Sequence, residues 1–168
     1  ATGVIVKFIN VVNKAPITGL NQVGGIAGWA KTGAAVVFEN CVNDGAISET
    51  GTNAYCAGII CRSDVALNTF EGCVNNAKVS SGKDQAGGML AYASKGSFVV
   101  DGCVNNGTIN ADGRPGGIVG NTDTSTTITN CTNNGDVQAI YNYCGGIAAR
   151  FGADDYKDAK FYVENCVN

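Results

Sequence analysis

Histidine is absent from the 168 residues. That absence removes the side chain most often used as a general base near neutral pH, and with it the imidazole ligands of zinc and copper sites. Proline is nearly missing too, at two residues, and Met and Trp occur once each. Charge is sparse: 11 Lys and Arg stand against 14 Asp and Glu, a formal charge of -3 with no basic cluster. Such a surface does not neutralise a phosphate backbone, so nucleic acid is not an expected partner. No apolar run is long enough to cross a bilayer, and membrane insertion is not expected. No apolar stripe with a 3.6-residue period marks a helix. The chain opens at Ala1 without a charged-then-apolar leader, and the expectation is that any export signal has been removed or was never part of it.

What is abundant is glycine, 24 residues, together with Asn, Thr and Val. That mixture describes short strands joined by tight turns. Its order is repetitive. "FINVVNKAPI" at Phe8 returns as "FENCVNDGAI" at Phe38, "FEGCVNNAKV" at Phe70, "VDGCVNNGTI" at Val100, "ITNCTNNGDV" at Ile128 and a truncated "VENCVN" at Val163. A second block keeps step: "VGGIAG" at Val23, "CAGIIC" at Cys56, "AGGMLA" at Ala86, "PGGIVG" at Pro115 and "CGGIAA" at Cys144. A fixed period of about 30 residues is the signature of a stacked repeat architecture.

Each repeat carries about three strand-like pieces: the Phe-to-Asn piece, the Ile or Val after the Asn-Gly turn, and the Gly-Gly-Ile piece. One coil of this kind cannot bury its own apolar face, but copies stacked about 4.8 Å apart line equivalent side chains into columns. Three columns are expected to point inward: Ile17, Ile47, Val79, Ile109 and Val137; Ile26, Ile59, Met89, Ile118 and Ile147; Phe8, Phe38, Phe70, Val100, Ile128 and Val163. The expectation is one all-β domain over residues 1–168, a parallel β-helix of about five coils. Right-handed winding is expected because parallel crossovers nearly always have that hand. An α/β horseshoe would need closely spaced Leu and a helical segment per repeat, which the sequence lacks.

With those blocks in view, the sequence resembles the tandem repeats of bacterial cell-surface and adhesin-like proteins, including those carrying the GLUG motif. The likeness runs over nearly the whole chain and is carried by "NCVNNG" and "GGIAG". Departures are Val11 in the cysteine column, Ala57 in the second block and the insert "RFGADDYKDAKFY". The resemblance implies an extracellular or cell-surface location and a stalk, adhesin or filament role, and names no cofactor.

Residue by residue, the bland readings lead. Cys41, Cys73, Cys103, Cys131 and Cys166 fall in one column. In-register neighbours hold their Cβ atoms near 4.8 Å, beyond the roughly 3.8 Å that disulfides prefer, so the thiols are expected to pack as small apolar groups. A straight line of sulfurs does not converge on a metal, and no metal is expected. Asn43, Asn75, Asn105 and Asn133, with Asn13 and Asn168, are expected to form a hydrogen-bonded amide ladder. Gly45, Gly107 and Gly135 are expected to take positive φ at the turn, leaving Ala15 and Ala77 strained. Glu39, Glu71, Asp101 and Glu164 recur two places before the cysteine column. No second acidic column meets them, so neither a carboxylate pair for catalysis nor an enzyme is expected.

Binding is expected on one outer face. Strand alternation from the inward Ile26 column directs Ala27, Ile60, Leu90, Val119 and Ala148 outward, beside Trp29, Arg62, Tyr92, Asn121 and Arg150. Aromatic and Arg side chains of that kind suit a protein or glycan partner. Trp29, Ile60, Arg62, Leu90, Tyr92, Val119 and Arg150 are the candidate contact residues. The sequence also shows no atypical polar cap at either end, which suggests either a piece of a longer surface protein or head-to-tail self-association. The expected function is a structural or adhesive module, with a glycan-binding or glycan-cleaving β-helix domain as the alternative.

Overall fold

The computed structural model describes residues 3–52, 55–152 and 158–168. Its strands pair in parallel, each with the strand one repeat away: Phe8 lies beside Phe38, Phe38 beside Phe70, Phe70 beside Val100, Val100 beside Ile128 and Ile128 beside Val163. The period in the sequence is therefore the register of the sheets. The chain is an all-β parallel solenoid of about five coils. No helix lies among the described residues, so none is long and apolar enough to cross a membrane. Residues 153–157 of the long insert fall outside the described set.

Each of the first four coils holds five short strands rather than the expected three, and in the fifth the Gly-Gly strand shrinks to an isolated bridge at Gly145. In the second coil these are Ala35–Glu39, Val42–Asn43, Ile47–Glu49, Tyr55–Ala57 and Ile60–Ser63. Stacked, they make sheets of six, five, five, four and five strands. The first additional break falls at the residue before the cysteine column, where φ is positive in all six copies: Asn10 57°, Asn40 51°, Gly72 59°, Gly102 59°, Asn130 54° and Asn165 52°. Asn and Gly enter this left-handed region at the least cost, which explains why only they occupy the position.

This corrects the turn expected five residues later in the motif. Gly45, Gly107 and Gly135 do not have positive φ, and neither do Ala15 and Ala77. The three glycines answer to proximity instead, Gly135 through the Gly107 carbonyl oxygen, which would stand 2.1 Å from an added Cβ. A Cβ on Gly45 would stand 1.9 Å from the Ala15 carbonyl oxygen, and one on Gly107 2.0 Å from that of Ala77.

The second additional break lies at the Gly-Gly block and overturns part of the outer-face expectation. Ile60, Leu90 and Val119 are fully buried, as are their predecessors Ile59, Met89 and Ile118. Both sets belong to the main core cluster. Alternation fails because Tyr55–Ala57 and Ile60–Ser63 belong to different sheets and the corner between them falls at Gly58 and Ile59. At that corner the Ile59 carbonyl accepts from both Ile26 N and Ala27 N, at 3.0 Å each. Two successive side chains can then point inward.

The core columns otherwise stack as the repeat dictates. Phe8, Phe38 and Phe70 lie face on face, with ring centroids 4.9 and 5.2 Å apart. Where the column shrinks to Val100, Phe98 moves in beside Phe70 at 6.5 Å. A neighbouring pair of inner columns alternates in character from coil to coil. Ser63 meets Asn68, Thr122 meets Thr126 at 2.8 Å, and Phe151 meets Phe161 at 5.2 Å. Polar groups thus face polar groups where one coil passes into the next. A one-coil slip would bury a hydroxyl against an aromatic ring, a mismatch that costs about 1–3 kcal/mol per orphaned group.

Through the middle of this interior runs an amide ladder. Asn13 Nδ2 donates to Asn43 Oδ1 at 2.7 Å, and the series continues through Asn75, Asn105 and Asn133 to Asn168 at 2.7–2.8 Å. The second N–H of Asn75, Asn105 and Asn133 goes to the carbonyl two residues on. Across the coil the ladder abuts the second glycine of each Gly-Gly block. A Cβ on Gly25 would lie 2.6 Å from Asn43 Oδ1, and one on Gly58 2.5 Å from Asn75 Oδ1. The contact divides the interior into a large lobe with Phe38, Cys41 and Ile59, and a small one with Ile47, Cys56 and Ala86.

Replacing Asn105 by Leu strands the inner N–H of Asn75, the Oδ1 of Asn133 and the Gly107 carbonyl. The expected loss in urea unfolding is at least about 3 kcal/mol. Asn106→Ala, which cuts the exposed neighbour, is expected to cost about 1 kcal/mol or less. Equal losses would remove the ladder from its central place.

Candidate functional site

The outer surface of the solenoid is set by the same alternation. In the strands Gln22–Gly24, Tyr55–Ala57, Gln85–Gly87 and Arg114–Gly116, the middle residues Val23, Cys56 and Ala86 point into the small core lobe. Their predecessors Gln22, Tyr55, Gln85 and Arg114 form a column on the other side, paired in register. Past the Gly-Gly corner, Trp29, Arg62, Tyr92, Asn121 and Arg150 make a second outer column. The two converge: Tyr55 and Tyr92 touch with ring centroids 5.5 Å apart. Small residues occupy the bottom of the angle between them, where Cys61 donates its thiol to the Tyr55 carbonyl at 3.1 Å.

Along the second column, cations and rings alternate. Lys31 Nζ lies 5.0 Å from the Trp29 ring centroid, and the Arg62 guanidinium sits 4.9 Å from Trp29 and 5.3 Å from Tyr92. Cation–π contacts of this exposure contribute about 0.5–1 kcal/mol each. Aspartates tie the coils together. Asp64 accepts from Trp29 Nε1 at 3.0 Å, from Arg62 Nε at 3.0 Å and from Ser94 Oγ at 2.6 Å, one partner from each of three successive coils. Asp123 accepts from the Tyr92 hydroxyl at 2.9 Å and from Arg150 at 3.3 Å. Arg114 places one terminal nitrogen 3.0 and 3.1 Å from the two oxygens of Asp84. Burial, then the bond to Asp123, pushes the Tyr92 phenol well above its ordinary pKa, so it stays a hydrogen-bond donor. The Tyr55 phenol is raised by burial first and by the Asp84 carboxylate second.

Of the residues the sequence put forward for contact, Trp29, Arg62, Tyr92 and Arg150 lie on this outer strip, and Ile60, Leu90 and Val119 do not. Sequence reasoning missed Asp64, Asp84 and Asp123, because they occupy columns otherwise filled by unrelated residues. The available signal was "SD" and "TD" closing the Gly-Gly-Ile strand at Ser63 and Thr122. It also missed an exposed second ladder, Asp44–Asn76–Asn106–Asn134, each link 2.8 Å, which the doubled asparagines of "NN" announce.

The cysteine column lies inside. Cys41, Cys73, Cys103 and Cys131 are buried, Cys166 is partly covered, and the Sγ atoms of Cys41, Cys73, Cys131 and Cys166 lie 3.3–3.7 Å from carbonyls of the preceding coil. Burial pushes Cys56 and Cys61 well above the ordinary thiol pKa, so neither offers a thiolate at neutral pH. Among the described residues no three Cys, Asp or Glu side chains converge as metal ligands. In the acidic column Glu71 and Glu164 are exposed, and Glu39 and Asp101 are half-buried. Asp101 Oδ1 accepts from Thr129 at 2.6 Å and from Asn130 at 2.8 Å, and those two bonds hold its carboxyl below the usual range.

Comparison with known proteins adds one match. The GLUG motif covers residues 112–138. That stretch begins just before the strand Arg114–Gly116 and ends inside Val137–Ala139, so it is one turn of the solenoid. It supports a repeat-containing protein of the surface type. No curated protein and no solved structure matches the chain.

The burial pattern predicts the thiol chemistry. A thiol reagent on folded protein is expected to label Cys144 quickly and Cys166 slowly, while Cys41, Cys56, Cys61, Cys73, Cys103 and Cys131 wait for unfolding. In denaturant all eight cysteines should titrate. A denatured count below about six would mean disulfides and a different packing of the column.

Proposed function

We propose that the chain is a structural and adhesive module of an extracellular bacterial surface protein, a rigid solenoid that presents its outer strip to a protein or glycan. The observation that carries this reading is the stitching of successive coils from both sides: amides within, and Asp64, Arg62 and Tyr92 without. A body in which every coil is bonded to the next is stiff along its axis, and that suits a spacer or display element. The GLUG turn supports the surface assignment. Sparse charge with every arginine of the strip paired to an aspartate supports a partner other than nucleic acid. The singly disposed acids, one per coil, support a non-catalytic role. Burial of most thiols is compatible with an oxidising exterior.

Self-stacking is a second reading, favoured by the end coils. Val4, Ile5 and Val6 are exposed at one end, and Tyr162, Val163 and Val167 at the other. An apolar recess of about 270 Å³, lined by Val4, Val6, Phe8 and Trp29 among others, opens at the first coil. A further coil of the same pattern, from this chain or another copy, would continue the columns there.

Surface display is testable on the cells that make the protein. Antibodies raised against the folded chain are expected to label intact cells, and external protease is expected to remove the label. Labelling only after lysis would contradict the assignment. Electron microscopy of concentrated protein decides self-stacking: filaments one solenoid wide support it, and dispersed particles refute it.

A further inference from the structure

Four of the buried polar atoms without a protein partner lie on the two columns that converge at the outer corner: Gln22 Oε1, Gln85 Oε1, Asn121 Oδ1 and Arg114 Nε. Two of these side chains are almost wholly buried, Gln85 at 3% exposure and Asn121 at 2%. Leaving such groups unmatched costs about 1–3 kcal/mol each, and a fold that satisfies its inner amides so completely concentrates them here. We propose that this corner binds a neutral, hydroxyl-rich glycan chain lying along the solenoid axis.

Three features favour that chemistry. First, the unmatched atoms are three acceptors and one donor on a short stretch, and a hydroxyl is the group that both donates and accepts. Second, the arginines of the strip are not free for a phosphate or sulfate, since Arg62, Arg114 and Arg150 are each held by an aspartate, and Lys31 lies over the Trp29 ring at one end. Third, the corner is built from side chains on sheet faces. An extended peptide gains its affinity by pairing main chain with a sheet edge, which this corner does not present. Coils repeat about every 4.8 Å, close to the length of one sugar unit along an extended chain, so equivalent side chains of successive coils meet successive units. Tyr55 and Tyr92, tilted against each other, supply apolar ring edges for the C–H surfaces of the sugar.

The proposal rests on the outer strip being the partner-facing surface, and its test separates the two. The intact chain is titrated calorimetrically with cellohexaose, chitohexaose, mannohexaose and xylohexaose, with a heparin hexasaccharide as the charged comparison. At least one neutral hexasaccharide is expected to bind. Asn121→Leu, close in volume, and Tyr92→Ala should each weaken that binding by about tenfold or more, while Val99→Ser on another face leaves it unchanged. Because Asn121→Leu removes an unmatched acceptor, its melting temperature should equal or exceed that of the parent, so that lost binding is not lost fold. The proposal is overturned if no neutral hexasaccharide binds, if only the heparin fragment binds, or if neither substitution weakens the neutral one. A chain that labels intact cells yet binds none of the neutral sugars refutes the glycan site and leaves the surface assignment standing.

Discussion

The side-chain amide of one asparagine per coil is the constraint on which the rest of the solenoid depends. Each amide must find its neighbour at 2.7–2.8 Å, which fixes the stacking distance and phase of every coil. Because the amides are buried, any slip leaves them unmatched in a low-dielectric interior. The same amides press against the opposite side of the coil, where only glycine leaves room. The two recurrent sequence blocks, one around Asn and one around Gly-Gly, are therefore two halves of one contact. That contact separates two apolar lobes, and each lobe can then be filled by ordinary hydrophobic columns without strict demands on shape.

With the coil phase fixed inside, the outside becomes a regular template. Residues with no repeat relation of their own are brought to about 4.8 Å spacing and made to interact. Trp29, Arg62 and Tyr92 come from three successive coils, yet with Lys31 over Trp29 they form one alternating stack, and Asp64 and Asp123 lock it laterally. Function, in this architecture, is written in the columns that vary. The invariant columns keep the lattice; the variable ones decide what it meets. The unmatched atoms of Gln85 and Asn121 belong to the variable set.

Much of the fold was legible because a solenoid's period is its register. The repeat itself puts Phe8 over Phe38 and Asn75 over Asn105, as the sheets do. The corners were not legible in the same way. Strand alternation, projected through Gly58 and Ile59, sent Ile60, Leu90 and Val119 outward, whereas the change of sheet there turns two successive residues in. The left-handed turn lies five residues before the position that the Gly45, Gly107 and Gly135 column suggests. Asn40 and Gly72 share a backbone conformation but no side-chain chemistry, so the column does not advertise itself as a glycine column would. For the outer strip, Trp29, Arg62, Tyr92 and Arg150 stood out by type. Their aspartate partners did not, because Asp64 pairs across coils in ways that only the three-dimensional stack brings about.

The most direct measurement on the central claim is hydrogen exchange of the asparagine side-chain amides, followed residue by residue by NMR. The inner Nδ2 protons of Asn43, Asn75, Asn105 and Asn133 are buried and bonded, and they should exchange slower than the exposed Nδ2 protons of Asn76, Asn106 and Asn134 by several orders of magnitude. Comparable exchange in the two sets would show that the inner amides open as freely as surface groups, and would contradict an account in which they hold the coils in phase.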